Sequence, residues 1–143
     1  MEDQRGWVIA RTETEEGLSL LRLKKIEDQF DFNAFPERMN VIWDFQEPTQ
    51  TGTPSPSESE AMERFEDRIC GHIEEDGKSI LCMVFTEPGY REYVFYSRST
   101  DDFLNALNAI PQERQPYPIE MQHETDQGFD FYQSYAQGFR GAP

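Results

Sequence analysis

The order and patterning of its elements place this chain in the α+β class, with an antiparallel sheet. From Met39 onward the elements follow the order β, α, β, β, α, β, which is the split β-α-β order. Residues 80–86 are apolar at almost every position, as is typical of an interior strand covered on both faces. Apolar–polar alternation over residues 119–124 predicts a strand with one face in water. Together these patterns predict a ferredoxin-like two-layer sandwich with helices on one face of the sheet.

Two strands joined by a polar turn come first. Residues 7–11 and 18–26 are apolar enough for strands, and residues 13–17 between them are polar, so an N-terminal β-hairpin is expected to extend the sheet. Residues 30–38 form an aromatic loop. Residues 39–45 predict a third strand, because their apolar side chains alternate onto one face.

The first helix is expected directly after a low-complexity loop. Residues 46–57 are rich in Pro, Thr, Ser and Gly, which favours a mobile surface loop. Ser57 and Glu60 have the spacing of a capping box, in which two side chains satisfy backbone N–H groups at a helix start. Gly77 is expected to end the helix, because glycine readily adopts the left-handed conformation. The apolar stripe of this helix comprises Met62, Phe65, Ile69 and Ile73.

The remaining elements are a central hairpin, a second helix, a last strand and a C-terminal helix. Pro111 stops the second helix, since proline cannot continue it. The predicted bounds are residues 80–86 and 90–97 for the hairpin strands, 100–109 for the second helix, 119–124 for the last strand and 129–139 for the last helix. We expect residues 1–143 to form a single domain.

A formal net charge of −15, from 13 Lys and Arg against 28 Asp and Glu, dominates the electrostatics. So acidic a chain repels phosphate, and we expect it to bind neither nucleic acid nor anionic membranes. A basic protein partner would instead be attracted to it, although the acidity would equally keep a small protein soluble. The candidate partner-binding residues lie on the polar face of the first helix and are Glu60, Glu63, Asp67 and Glu74.

The two cysteines, Cys70 and Cys82, lie in a predicted helix and a predicted strand. They lack CxxC or zinc spacing, so we expect free buried thiols in a reducing cytoplasm. Residues 1–10 contain four consecutive apolar residues, too few for a secretory signal. No run approaches the roughly 18 apolar residues of a membrane span.

Neither histidine lies in a recognisable catalytic or metal-binding motif. His123 points to the strand face opposite Gln122 and Glu124, and side chains that point apart cannot bind one ion together. Cys70 and His72 are two positions apart on a helix and do not face each other. The sequence also has no glycine-rich phosphate-binding loop. It therefore predicts no catalytic residue, no metal ligand and no cofactor.

Arginine and tyrosine are concentrated on the second strand of the central hairpin. These residue types are enriched in binding hot spots. Cross-strand aromatic packing with Arg–carboxylate pairs would explain the same group. A small-ligand pocket or an unrecognised active site is an alternative function, and its candidate lining residues are Arg22, Arg91 and Tyr96.

Several short motifs occur in an order that resembles a known family. They are Trp7, the strands LLRL, MNVIWDF and REYVFYS, the pair Tyr117-Pro118, and the segment D-x-x-F-D-x-Y at residues 126–132. In this order they resemble the bacterial domain of unknown function family 695 over nearly the whole chain. Phe129 stands where Trp is expected in that family. The family has no agreed activity, so the resemblance implies no functional residue.

The end of the sequence is also similar to that of the regulator of ribonuclease E activity, type B. That regulator is small, acidic and ferredoxin-like, and it acts by binding a protein rather than by catalysis. The likeness and the charge together imply a non-catalytic acidic protein-binding or regulatory module. An immunity-type protein that neutralises a basic toxin is a further alternative. A sheet face without helices would also allow a homodimer.

Overall fold

A computed structural model describes residues 6–140 of the chain. All the predicted strands and helices are present in this range, in the predicted order. They are β1 (Trp7–Thr14), β2 (Gly17–Lys24), β3 (Glu37–Asp44), α1 (Pro56–Asp76), β4 (Ser79–Glu87), β5 (Tyr90–Ser97), α2 (Thr100–Ala109), β6 (Ile119–Thr125) and α3 (Asp130–Arg140). The predicted bounds of β5 and α2 are confirmed, and the bounds of the other elements differ by no more than three residues at either end.

The six strands of the described chain form one open antiparallel sheet in the order β1-β2-β4-β5-β3-β6. The N-terminal hairpin joins the sheet where Leu20 to Leu23 of β2 pair with β4. Strand β5 lies between β3 and β4, so α1 crosses over β5 to connect them. The predicted mixed α and β architecture with an antiparallel sheet is therefore confirmed.

Helices cover both faces of the sheet, so the prediction of helices on one face alone is wrong. Tyr93 and Phe95 point to the face covered by α1 and α2, here called the α1 face. Val94 and Tyr96 point to the opposite face, which packs against Tyr132 of α3 and is called the α3 face. The physical reason is that the central strands are apolar on both sides, so water must be excluded from each side.

The aromatic loop covers the α3 face beside α3. The rings of Phe30 and Phe35 are stacked with centroids 5.4 Å apart. Phe32 meets Phe129 edge to face at 5.0 Å. The loop is therefore part of the packed interior on this face, and it closes the end of the sheet near Lys24.

Helix α1 begins two residues before the predicted cap. Ser55 is the N-cap, and its hydroxyl accepts a hydrogen bond from the Glu58 backbone N–H at 3.2 Å. Pro56 is the first helical residue, a position that suits proline because the missing N–H would have no partner there. Gly77 ends the helix with φ 69°, as predicted, and its N–H donates to the Ile73 carbonyl at 2.9 Å.

Residues 46–55 contact the turns of both hairpins. The Gly89 N–H donates to the Gly52 carbonyl at 2.8 Å, and Pro48 forms a β-bridge with Pro54. A Cβ atom on Gly17 would lie 2.8 Å from the Thr51 carbonyl oxygen. The loop predicted to be mobile is thus packed against the β1–β2 and β4–β5 turns.

Candidate functional site

Four carboxylates form a line along the solvent face of α1. Glu60, Glu63, Asp67 and Glu74 are all exposed. They fall within an arc of about 60° around the helix and span about 21 Å along its axis. Within residues 6–140, none of the four carboxylates makes a hydrogen bond or an ion pair. This surface is called the acidic stripe, and it contains all of the predicted partner-binding residues.

The arginines of α1 beside the stripe bind a different carboxylate. Arg64 Nη2 lies 2.7 Å from Glu113 Oε1, and Arg68 Nη1 lies 2.6 Å from Glu113 Oε2. Arg68 also donates to the Tyr117 hydroxyl at 2.7 Å. The hydrogen bond from Arg64, followed by that from Arg68, lowers the pKa of Glu113 below its ordinary value. Both arginines therefore contact Glu113 and not the acidic stripe.

The other flank of α1 has a second internal ion pair. Arg22 of β2 binds both carboxylate oxygens of Glu66, one of them at 3.2 Å. The Arg22 guanidinium also lies over the Trp7 ring, 5.2 Å from its centroid, and Lys24 Nζ lies 5.7 Å from the same centroid. The cations on both flanks of the stripe are therefore engaged within the chain.

The structure brings together two of the three residues predicted to line a pocket. In the register of the sheet, Arg22 lies opposite Val84, and Val84 lies opposite Tyr93. Residues opposite each other share a face, so these three side chains point to the α1 face. Arg91 precedes Tyr93 by two positions and points the same way. Tyr96 points to the α3 face, on the other side of the sheet. Arg22 and Arg91 thus share a face with Tyr93 rather than with Tyr96.

The Tyr93 hydroxyl is buried and makes no hydrogen bond of good geometry in the described part of the chain, and the Arg91 guanidinium is its polar neighbour. Burial raises the pKa of Tyr93 to about 12, against the smaller opposing effect of Arg91. An unsatisfied buried hydroxyl costs about 1–3 kcal/mol. Such a group is a reason to consider a ligand, and it is the strongest structural support for a small-ligand site.

A cavity of about 570 Å³ adjoins the acidic stripe, between α1, the start of β4 and the aromatic loop. Its volume is within the usual range of ligand pockets. Asp67 and Glu74 of the stripe line the cavity, and because both side chains are exposed they lie at its mouth. The apolar lining includes Trp7, Phe30, Phe35, Cys70 and Ile80. It is called the α1 cavity.

A second cleft, of about 540 Å³, lies at the N-terminus of α1. Glu58 in its wall is buried, and its carboxylate accepts three hydrogen bonds. The donors are Trp43 Nε1 at 2.9 Å, the Gln46 N–H at 2.7 Å and the Glu47 N–H at 3.0 Å. Glu58 therefore connects α1 to the end of β3, a role that the predicted capping spacing did not reveal.

We expect Glu58→Gln to lower the free energy of unfolding by about 1–3 kcal/mol at neutral pH, because an amide cannot replace an anionic acceptor of three N–H groups. Burial raises the pKa of Glu58, but the three hydrogen bonds outweigh that effect and leave it below 4.5. A depressed folded-state pKa gives stability above about pH 4.5 that is lost as the pH falls through that pKa. Urea denaturation from neutral pH to about pH 3 should show the difference from wild type shrinking. Glu47→Gln, at an exposed carboxylate, is the control, and a difference independent of pH would contradict this account.

The two thiols and His123 have surroundings typical of residues with a structural role. Burial raises the pKa of Cys70 to about 12 and also raises that of Cys82. A thiol with so high a pKa carries little thiolate at neutral pH. His123 Nε2 lies 2.8 Å from Glu37 Oε1, on the exposed face of β6. In residues 6–140 no three His, Cys, Asp or Glu side chains are grouped closely enough to hold a metal ion.

The D-x-x-F-D-x-Y segment attaches α3 to the sheet. Asp126 is buried and accepts hydrogen bonds from Tyr96 Oη at 2.7 Å and Arg38 Nη1 at 3.1 Å. It also accepts from the backbone N–H groups of Asp130 and Phe131 at the start of α3, at 2.8 and 3.1 Å. Asp126 lies four residues before the first residue of α3, outside the usual N-cap position, so a local pattern did not predict these contacts with the start of the helix or the two side-chain partners.

The aromatic residues of the same segment complete the attachment. The rings of Phe129 and Tyr96 are stacked, with centroids 3.7 Å apart. The Tyr132 hydroxyl donates to the Lys24 carbonyl at 2.5 Å and accepts from the Ile26 N–H at 3.2 Å. These contacts bury the rings of Phe129 and Tyr132 completely and leave them no exposed surface for a ligand.

No helix within residues 6–140 is both long and apolar enough to cross a membrane.

Comparison with known proteins relates the chain to a described family. No curated protein and no solved structure matches the chain. The model of a family described as "Family of unknown function (DUF695)" matches residues 5–136, from the start of β1 into α3. The chain therefore belongs to the DUF695 family of unknown function.

Proposed function

We propose that this protein is a non-catalytic regulatory module that binds a basic surface of a protein partner through its acidic stripe. The observation that carries the proposal is that four carboxylates lie in one line on α1 and that none of them makes a hydrogen bond or an ion pair within residues 6–140; Arg64 is a longer-range electrostatic neighbour of Glu60. Glu63 and Asp67 are one helical turn apart, and like charges at that spacing destabilise a helix by about 0.2–0.5 kcal/mol per pair. Cations supplied by a partner would relieve this repulsion.

The charge of the whole chain favours a basic protein over other partners. At −15 the chain repels the phosphates of nucleic acid and of anionic lipid. The same charge attracts a basic protein over distances of several ångströms and increases the rate of association. The complex should therefore weaken as salt concentration rises, since exposed charges are screened.

Topology and resemblance support a regulatory role. Strand β5 between β3 and β4 is the arrangement expected of a split β-α-β unit, and it supports a ferredoxin-like core with an added hairpin. The ending similar to the type B regulator of ribonuclease E activity supports binding without catalysis. Two free thiols support a reducing, cytoplasmic location. An immunity-type protein that neutralises a basic toxin would use the same stripe.

A small-ligand site near Tyr93 is the second candidate function. Its support is the buried hydroxyl, which makes no hydrogen bond of good geometry in the described residues and shares the α1 face with Arg22 and Arg91. A metabolite screen by thermal shift, repeated with Tyr93→Phe, tests it. A compound that stabilises the wild type but not the variant would favour this site over the acidic stripe.

Charge reversal of the stripe should abolish partner capture. In Glu63→Lys/Asp67→Lys each substitution changes the charge by 2, so the formal charge goes from −15 to −11. We expect at least about a tenfold loss of affinity, because two attractive contacts become repulsive. The measurement is affinity capture from lysate of the source organism, with washes of increasing salt, identification by mass spectrometry and titration of the captured protein.

A matched double variant separates the stripe from total charge. Glu15→Lys/Glu120→Lys makes the same change in net charge at two exposed carboxylates, one in the β1–β2 turn and one on β6. It should keep most of the affinity. Equal affinity of the stripe variant and the wild type, with both folded, would refute the proposal, and equal losses in the two double variants would show that only net charge matters.

A further inference from the structure

The α1 cavity and the acidic stripe are parts of one continuous surface. Asp67 and Glu74 belong to the stripe and also line the cavity. The cavity is about 570 Å³ in volume, and behind its mouth the lining is mainly apolar and aromatic. A partner held on the stripe would therefore lie directly over an opening into the protein.

Few of the charges around this opening are available to a partner. Glu66 lines the cavity but is held by Arg22. Lys24 also lines it, with its ammonium over the Trp7 ring. Asp67 and Glu74 make no ion pair within the described residues. The charge that the mouth presents to a partner is thus mainly negative.

The aromatic walls favour an apolar occupant over a cationic one. The Trp7 ring already lies under Arg22 and Lys24, and Arg98 lies 5.7 Å from the centroid of Phe35. A further cation inside the cavity would have to displace these cations from the ring faces. An apolar side chain needs no such displacement, and filling a desolvated pocket is how hot-spot residues contribute to affinity.

We propose that the α1 cavity receives one large apolar side chain from a basic protein partner, whose flanking Arg or Lys residues contact Asp67 and Glu74. The inference rests on the proposed function, because the acidic stripe brings the partner to the cavity. A second copy of the chain does not fit, since two molecules of charge −15 repel each other. Burial of one large apolar side chain should increase affinity about 10- to 100-fold.

Synthetic peptides test the proposal on the full chain. One peptide contains only Arg and Ala, and the others have the same sequence with a central Leu, Met, Phe or Trp. All should bind in a salt-dependent manner, and at least one apolar-centred peptide should bind about 10-fold more tightly than the Ala peptide. In Cys70→Phe, which fills the cavity from α1, the Ala peptide should bind as before and the apolar preference should disappear. Cys70→Met is a milder filling variant in case Cys70→Phe does not fold.

Thiol labelling gives an independent readout of occupancy. Cys70 lines the cavity, whereas Cys82 is fully buried and serves as the internal reference. Because its raised pKa leaves little thiolate, Cys70 should be labelled slowly by a maleimide, and the preferred peptide should slow this labelling further in proportion to its occupancy. A neutral peptide with the same central residue should protect Cys70 much less, because it lacks the contacts with the stripe.

The outcomes separate this inference from the proposed function. If no apolar-centred peptide binds more tightly than the Ala peptide, the inference fails while binding to the stripe can still stand. An apolar preference that persists in both Cys70 variants places the contact elsewhere and overturns the inference. Equal protection by the neutral peptide shows a small-ligand cavity and also overturns it. Peptide binding that is unchanged in Glu63→Lys/Asp67→Lys refutes the proposed function itself.

Discussion

Replacement of Asp126 by Ala is expected to lower the free energy of unfolding by about 3–5 kcal/mol. The carboxylate accepts four hydrogen bonds, including those from Arg38 and Tyr96. Its loss would leave the largely buried Arg38 guanidinium without its buried partner, and the Tyr96 hydroxyl without an acceptor. It would also leave the Asp130 and Phe131 N–H groups at the start of α3 without their side-chain acceptor, and loss of such an acceptor alone costs about 1 kcal/mol.

The measurement is urea denaturation at neutral pH, supported by thermal unfolding. For a chain of this size the loss corresponds to a fall in Tm of about 10–15 °C. Glu124→Ala is the matched control, because Glu124 also binds Arg38, at 2.5 Å, but its side chain is 69% exposed. The control should cost less than about 1 kcal/mol. Similar losses in both variants would show that burial of Asp126 is not the cause.

Gly17→Ala is expected to cost about 2–4 kcal/mol. Gly17 has φ 134°, a backbone conformation that residues with a side chain rarely adopt. The added Cβ would lie 2.8 Å from the Thr51 carbonyl oxygen and 3.0 Å from Pro88 Cγ. Relief would require movement of the loop at residues 46–55, which is hydrogen-bonded to the β4–β5 turn.

A second glycine provides a control of opposite sign. Gly71 lies inside α1, and a Cβ there would meet no atom within 4 Å. Gly71→Ala should therefore raise the free energy of unfolding by about 0.8–1 kcal/mol, since alanine is the better helix former. Both variants are measured by the same denaturation experiment. A neutral Gly17→Ala would contradict the packing of the loop at residues 46–55 against the two hairpin turns.

The residues that carry the family resemblance and the residues of the proposed binding surface are different sets. Trp7, Tyr117, Asp126, Phe129 and Tyr132 are all buried, and their contacts hold helices and strands together. The acidic stripe lies on the exposed face of α1, outside these motifs. The motifs that carry the resemblance thus lie in the packed interior of the fold, whereas under the proposed function the choice of partner depends on surface residues of α1.

Local patterns were sufficient to predict the order of elements and the acidic face of α1. The apolar spacing of α1 predicted its buried stripe, and Met62, Phe65, Ile69 and Ile73 are all buried as expected. Residues 80–86 are apolar on both sides, and β4 contributes buried side chains to both the α1 face and the α3 face. These features follow from periods of 3.6 and 2 residues, which depend only on neighbouring positions.

The tertiary structure alone decided which distant groups meet. Tyr96 was predicted to line a pocket with Arg91, although strand alternation already directs these two side chains to opposite faces. Only the tertiary structure shows that the Tyr96 hydroxyl binds Asp126, 30 residues away. Arg22 meets Glu66 across 44 residues, a partner that the pattern of its own strand does not reveal. The side of the sheet on which α3 packs, and the cavity beside Asp67, also depend on such contacts. Their energies come from burial and pairing between elements, and a local pattern does not specify which elements pair.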